Sequence, residues 1–405
     1  MEPGKEIPSQ QKKTLIAVSV TMAIMSIGMG FIAPILPKLA QSLGASSTMV
    51  GIIISTRGVS RLLTDLPTGR LADRKGRRWL VVGAPGLVIA GAVASALATS
   101  VWQLFVFRVV QAAGTAIMHT MAYIMLADVT LASQRGRILS IYQVIVLPAA
   151  AVGPYLGGLL SERFGLRAPF FGMAVIGAIA CLWAYLRIPE SRAATIQEIK
   201  PSPTGGHRPS GGTSALLLNT NFLLVSLLAL SIFFSLSGGR DTLVPLLGYN
   251  TLLLGEAQVG LAFSLTEGLV LAIVYLGGRM ADRLGRKAVL VPGAWLMVIA
   301  ILVFSRSGDY ATYLLGAGIL GAGWGLSGAI PTAYAADISP PEKVGSTLGL
   351  FRFVGAIGLL LGPIFMGWLA DIWGISSALW INAVMLLATS LLFATLARET
   401  LHARP

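Results

Sequence analysis

Six charged residues stand inside otherwise apolar stretches, and their types suit two kinds of chemistry. Arg57, Arg61 and Asp65 follow at four-residue spacing, which makes a stripe on one face of a helix. Arg108 is followed one turn later by Gln111, while Glu267 and Arg352 stand alone in their stretches. An arginine fork fits a carboxylate or a phosphate. Arg57, Arg61, Arg108 and Gln111 are therefore candidate substrate contacts. A carboxylate buried with no cation in its own segment can take a proton from one side and release it on the other. Glu267 is the first candidate for that role, and intramembrane acids commonly mark such relays. Asp65 is the second, because Arg61, one turn away, competes with a proton for it. Plainer readings exist: a structural Arg61–Asp65 ladder, and Glu267 bonded to a Ser or Thr of a neighbouring helix. His119 reads as a packing or polar-contact residue. Three dispersed histidines and one cysteine supply neither a nucleophile–base pair nor a metal site, and no Walker-type phosphate loop is present. Neither an enzyme, a cofactor nor a metal is expected.

These residues need an apolar frame. The chain is 55% hydrophobic and only 12% charged, with mean hydropathy +0.77. Soluble domains carry about 25% charged residues. A water-soluble fold of this composition would expose large apolar patches. A membrane helix needs about 20 mostly apolar residues. Twelve windows qualify: 14–36, 47–68, 79–100, 101–126, 138–160, 168–186, 221–237, 258–277, 288–305, 311–336, 347–369 and 375–397. The turn between the third and fourth falls near Ser100. The first window is too long for a signal-peptide core and lacks a cleavage pattern after it. Cys181 is the single cysteine, so disulfides play no part. Of the lysines and arginines, 21 fall in the N-terminal tail, the even-numbered loops and the C-terminal tail. Five fall in the other loops: Lys38, Arg163, Arg167, Arg240 and Arg306. This asymmetry places both termini in the cytoplasm. It also accounts for most of the +13 net charge, without nucleic acid as a partner.

Residues 189–220 contain "PSPTGGHRPSGG" and read as a flexible cytoplasmic linker between two bundles, 1–188 and 221–405. The bundles are repeats. Gly51, Gly69, Asp73, Asp128, Gly153 and Gly165 each recur 209 positions later, as Gly260, Gly278, Asp282, Asp337, Gly362 and Gly374. The fold class expected is all-α, twelve transmembrane helices in two pseudo-symmetric bundles of six. Duplicated halves with a midplane site between them are a common plan of secondary transporters.

"GRLADRKGRR" (69–78) and its copy "GRMADRLGRK" (278–287) resemble the signature loop of the major facilitator superfamily. The resemblance covers essentially the whole chain. "RVVQAAG", holding Arg108 and Gln111, is similar to the helix-4 pattern of many members, with Ala112 where Gly is usual. "GPYLGG", with Gly153, Pro154, Gly157 and Gly158, resembles the helix-5 motif of drug–proton antiporters. Helices 3, 6, 9 and 12, peripheral in that fold, carry no charge in their apolar cores here. The resemblance implies alternating access and a protein that works as a monomer in the plasma or inner membrane. Its leading version is proton-coupled efflux of a small organic or drug-like molecule, and its rival an organic-anion transporter. A non-transporting sensor or enzyme is a distant third. Helix 1 contains no acid, so the antiporters' common coupling scheme does not transfer.

The duplicated motif reads physically as a latch. Gly69 and Gly278 let another helix approach, and Asp73 and Asp282 can face the positive end of a neighbouring helix. Arg77 and Arg286 can pair with Asp128 and Asp337. In the family this resembles, such clusters join the halves on the cytoplasmic side and stabilise the outward-facing state. Asp73→Asn is expected to impair transport while insertion and folding stay largely intact. Spin labels on the cytoplasmic loops should report more inward-open molecules. Unchanged distances with normal transport would remove the latch.

Overall fold

The computed structural model describes residues 9–75, 77–128, 130, 135–188, 219–340 and 343–400, without the side chains of 9–10, 65–67, 69–71, 73–75 and 135–137. Twelve long helices are present among them. The first half contributes α1 (Ser9–Ile32), α2 (Ser47–Lys75), α3 (Arg77–Leu97), α4 (Val101–Asp128), α5 (Arg135–Phe164) and α6 (Ala168–Arg187). The second contributes α7 (Thr220–Thr251), α8 (Glu256–Leu284), α9 (Arg286–Ser305), α10 (Tyr310–Asp337), α11 (Val344–Trp373) and α12 (Ile375–Leu396). Eleven are long and apolar enough to cross a bilayer. The twelfth, α2, spans 29 residues, and its charged stripe lowers its hydropathy. No strand occurs among the described residues. The chain is a multi-pass, all-helical membrane protein.

Three boundaries depart from the apolar windows. The signature segments are helical rather than looped: α2 continues to Lys75 and α8 to Leu284. Neither signature segment holds a proline before Gly76 or Gly285, and Gly285 takes φ 112°, which a side chain resists. The expected linker lies outside the described residues up to Asn219. Its Oδ1 accepts from the N–H groups of Asn221 and Phe222 at 3.0 and 3.3 Å and starts α7. The largest change is in α7, which runs on from the expected end near Ser237 to Thr251.

Two apolar cores form, one from residues 15–188 and one from 222–397; Leu246 of α7 joins the first. The halves meet through α2 against α11 and α5 against α8. At these contacts glycine lets backbones touch. Gly51 lies on the Pro363 carbonyl, and Gly260 on the Pro154 carbonyl. Gly367 lies on Ser47 and Thr48, and Gly158 on Glu256 and Ala257. Each contact is the 209-residue image of the other in its pair. Within each half, Gly153 and Gly157 seat α5 on α1, and Gly358 and Gly362 seat α11 on α7.

These contacts run from mid-span to the face that carries Gly44, Gly165 and Gly374, here called the outer face. Toward the opposite, arginine-rich face, Gly268 and Gly278 of α8 and Gly345 and Gly349 of α11 meet nothing within 4 Å among the described residues. Among the described residues, the halves are joined at the outer face and part toward the arginine-rich one. Gly278 therefore makes no close helix approach in this conformation, contrary to the expectation from its motif.

A side chain at Gly260 must push α5 from α8. Gly260→Val is expected to widen the outer side. The check is the distance between spin labels at Ser42→Cys and Ser377→Cys, both exposed at that face, in a Cys181→Ser background. A distribution equal to the parent's would show that this contact does not set the closure.

Candidate functional site

Four charged side chains meet at one depth. Arg57 lies ten residues from the outer end of α2, and Glu267 eleven from that of α8. Arg240 and Asp241 lie eleven and ten from the outer end of α7. At 1.5 Å per residue all four stand about 15 Å deep, near the middle of the hydrocarbon. Arg240 Nη2 donates to Glu267 Oε1 at 2.6 Å, and its Nη1 lies 3.6 Å from Asp241 Oδ1. Arg57 Nη1 donates to Asp241 Oδ2 at 3.0 Å. The chain Arg57–Asp241–Arg240–Glu267 is neutral in sum and spans both halves.

Glu267 has no cation in its own helix but finds Arg240 on another, and Arg57 finds Asp241 in the same way. Both partners come from α7, where Arg240 and Asp241 read from sequence as the outer end of a helix. Gly238 and Gly239 followed by two charges look like a terminus. Instead, Ser235–Leu243 continues as π-helix. Thr242 Oγ1 donates to the Ser237 carbonyl, five residues back, at 2.8 Å. Gly238 lies against the Gly362 carbonyl of α11. Gly239 lies against Asn382 of α12, whose Oδ1 accepts from Ser235 Oγ at 2.6 Å. Consecutive residues of a helix point to different sides of it. Arg240 thus turns to α8, where it also covers the Phe263 ring at 4.8 Å, while Asp241 turns to α2. π turns recur at functional sites.

Arg108 is 5% exposed. Its Nη1 donates to Gln111 Oε1 at 2.6 Å, and its Nε has no partner among the described residues. Gln111 is fixed in turn by Gly91 of α3, where a Cβ would come within 2.7 Å of it. α2, which carries Arg57 and Arg61, packs along α4, which carries Arg108 and His119. Arg61 and Arg352 are exposed, with no acid at ion-pair distance among the described side chains. Arg61 is one turn beyond Gly58, which packs on Leu360 of α11. Arg352 lies on the α11 face that carries Pro363, three turns away. Both helix faces touch the other half near the outer side, so both arginines look into the space where the halves part. The side chain of Asp65 lies outside the described residues.

The duplicated motif holds helices within each half. Arg77 at the start of α3 pairs with Asp128 at the end of α4. Arg286 Nη1 donates to Asp282 at 2.6 Å and Nε to Asp337 at 3.1 Å, tying α9 to α8 and α10. The Gly69 and Asp73 side-chain positions lie outside the described residues. Sequence reading missed Glu399, which accepts from the N–H groups of Arg286 and Lys287 at 2.8 and 3.0 Å and so caps α9. It also missed Glu162 and Asp371, outer-face acids whose shared 209-residue offset was the available signal. The helix-5 motif is a packing surface, with Gly153 and Gly157 on α1, and Pro154 and Gly158 on α8.

The sequence pattern of the Major Facilitator Superfamily matches residues 18–255 and 230–405. The chain belongs to that superfamily, whose members transport small molecules and are not enzymes. It is 24% identical to the inner membrane transport protein YajR of Escherichia coli, over 91% of this chain and 80% of that one. It is 23% identical to multidrug resistance protein 1 of Bacillus subtilis, over 89% and 90%. Its fold superposes on a bacterial homologue of the human lysosomal transporter Spinster, inward-facing and unoccupied, with TM-score 0.80 and 16% identity over 99% of both chains.

Removing one member of a fully buried ion pair costs about 3–5 kcal/mol, and the partly buried Arg240–Glu267 pair should cost less. Glu267→Ala is therefore expected to lower the melting temperature in detergent. Adding Arg240→Met should restore most of the loss. A Glu267→Ala protein that melts with the parent would mean that Arg240 is otherwise satisfied.

Proposed function

We propose that this transporter is a proton-coupled exporter of small organic molecules bearing an anionic group. It would work by alternating access as a monomer in the plasma or inner membrane, with both termini cytoplasmic. One observation carries the substrate reading. Among the described residues, Arg108 is buried with neutral Gln111 as its side-chain partner, on the helix packed against Arg57, and Arg61 and Arg352 face the same parting of the halves. The central chain of four is already neutral, so these arginines leave an excess of positive charge. An anionic substrate group would offset it through bidentate bonds. A drug-like substrate without that group is the second reading, favoured by the names of the multidrug relatives.

Coupling in this proposal runs through Glu267. A proton on Glu267 would cancel its charge and release Arg240. Arg240 could then hold Asp241 alone, loosening Arg57 for the substrate. Proton and substrate would thus act on opposite ends of one chain of charges. Asp65 remains the alternative carrier. The clusters at Arg77 and Arg286, with Asp73 and Asp282, would act as the latch when the arginine-rich face closes.

The test is counterflow in proteoliposomes with matched carboxylate, phosphate, cationic and neutral compounds, with and without a pH gradient. Anions are expected to exchange, and Arg108→Gln should abolish their exchange. Glu267→Gln keeps size and hydrogen bonding but cannot cycle a proton. It should lose uphill transport and keep equilibrative exchange. Exchange of cationic or neutral compounds only, unaffected by Arg108→Gln, would favour the second reading. Full uphill transport in Glu267→Gln, with its loss in Asp65→Asn, would move coupling to α2.

A further inference from the structure

The first N–H groups of a helix have no partner within it. At the outer face, two such helix starts are met by carboxylates from the opposite half. Asp371, near the end of α11, accepts from Ser47 N at 2.9 Å through Oδ1. Its Oδ2 accepts from Thr48 N at 2.8 Å and from Thr48 Oγ1 at 2.6 Å. Glu162, near the end of α5, accepts from Ala257 N at 2.9 Å through Oε1. Asp371 is the 209-residue image of Glu162, and Ala257 is that of Thr48. The same cap is therefore built twice, once in each direction across the interface.

Neither helix supplies this carboxylate itself. α2 has no acid in its first turn. α8 starts after Gly255, which has no side chain, and its own first-turn acid, Glu256, is turned away to Lys38 of the first half at 2.7 Å. A carboxylate at a helix start also gains from the helix dipole. The glycine contacts beneath these caps are close but unspecific, since backbone touching backbone slides at little cost. The caps are directional and charged, and opening the outer side separates α11 from α2 and α5 from α8. Each donor then loses its acceptor.

We propose that Asp371 and Glu162 are paired gate residues that hold the outer side closed by capping α2 and α8 of the opposite half, so that both caps must be released for outward opening. They position the halves and do not touch the central site, so the proposal stands whatever the substrate is. Asp371 makes three bonds and Glu162 one, so the Asp371 cap is the stronger.

The test uses the Ser42→Cys and Ser377→Cys label pair in the full chain. Loss of a helix cap shifts an equilibrium by about five-fold. Asp371→Ala is expected to raise the long-distance, outward-open population by about that factor, Glu162→Ala by less, and the double variant by most. Asp371→Asn and Glu162→Gln keep size and remove charge. They should shift the population in the same direction, and they carry the test if the alanine proteins cannot be purified. Gly51→Val, which wedges α2 from Pro363, is the positive control. Parent-like distances in the double variant, amide or alanine, alongside a shifted Gly51→Val would overturn the proposal. A shift confined to one of the two acids would overturn the pairing. A general loss of stability would lower the melting temperature without raising the outward-open population, and would count against a gate as well.

Discussion

A charge in the hydrocarbon needs a counter-charge, a polar partner or a water-filled cavity, and in this chain one such pairing crosses the boundary between the halves. Arg57 reaches Asp241 at 3.0 Å, and Arg240 reaches Glu267 at 2.6 Å. Much of the surrounding structure follows from that need. Arg240 and Asp241 are neighbours in sequence and must serve partners on different helices. Successive residues of a helix point to different sides of it, and Gly238 and Gly239 admit the carbonyl of Gly362 and the amide of Asn382 that pack against the π turn. The outer half of α7 then continues as a buried helix, with Leu246 reaching the first half's core.

The same boundary is where a transporter must move. The two pairs differ in what motion does to them. Arg240–Glu267 lies within one half and can travel as a body. Arg57–Asp241 joins the halves, and any rocking that parts α2 from α7 must break it. An unpaired charge left at mid-membrane would be costly. The cycle therefore needs a replacement partner at the moment of parting, and the site offers two: an anion for Arg57, or a proton for the carboxylates. This is a physical reason for substrate and proton to be linked here. It holds without an acid in α1.

The fold was legible because hydropathy and the 209-residue offset are both local properties of the sequence. Twelve apolar windows mark the twelve long helices, and the offset predicts that Gly51 and Gly260 should do equivalent work, as they do. The central pairing was not legible for the same reason. An offset aligns equivalent positions, whereas Arg57 and Asp241 are not equivalents. Thr266 stands opposite Arg57 in the repeat, and Gly58 opposite Glu267. The site is thus the place where the duplicated halves have diverged. Arg240 was further obscured because "SGGRD" reads as a helix end, and only the π turn and the partners on α2 and α8 keep it in the membrane.

Divergence at the centre and symmetry at the outer face serve different needs. The outer contacts are steric and capping contacts, and a closure that treats both halves alike can be made from one motif used twice. A binding site cannot be built that way. If Thr266 were Arg and Gly58 were Glu, the two halves would present the same charges about the pseudo-axis, and like charges would face each other across the site. Replacing one copy's charge by a small residue removes that conflict and leaves room. Gly58 uses the room to bring α2 onto Leu360 of α11, one residue from Arg57. A close approach of the halves and the described ion bridge between them at mid-depth are therefore set by adjacent residues of α2, so both are strained together when that helix swings away from the second half.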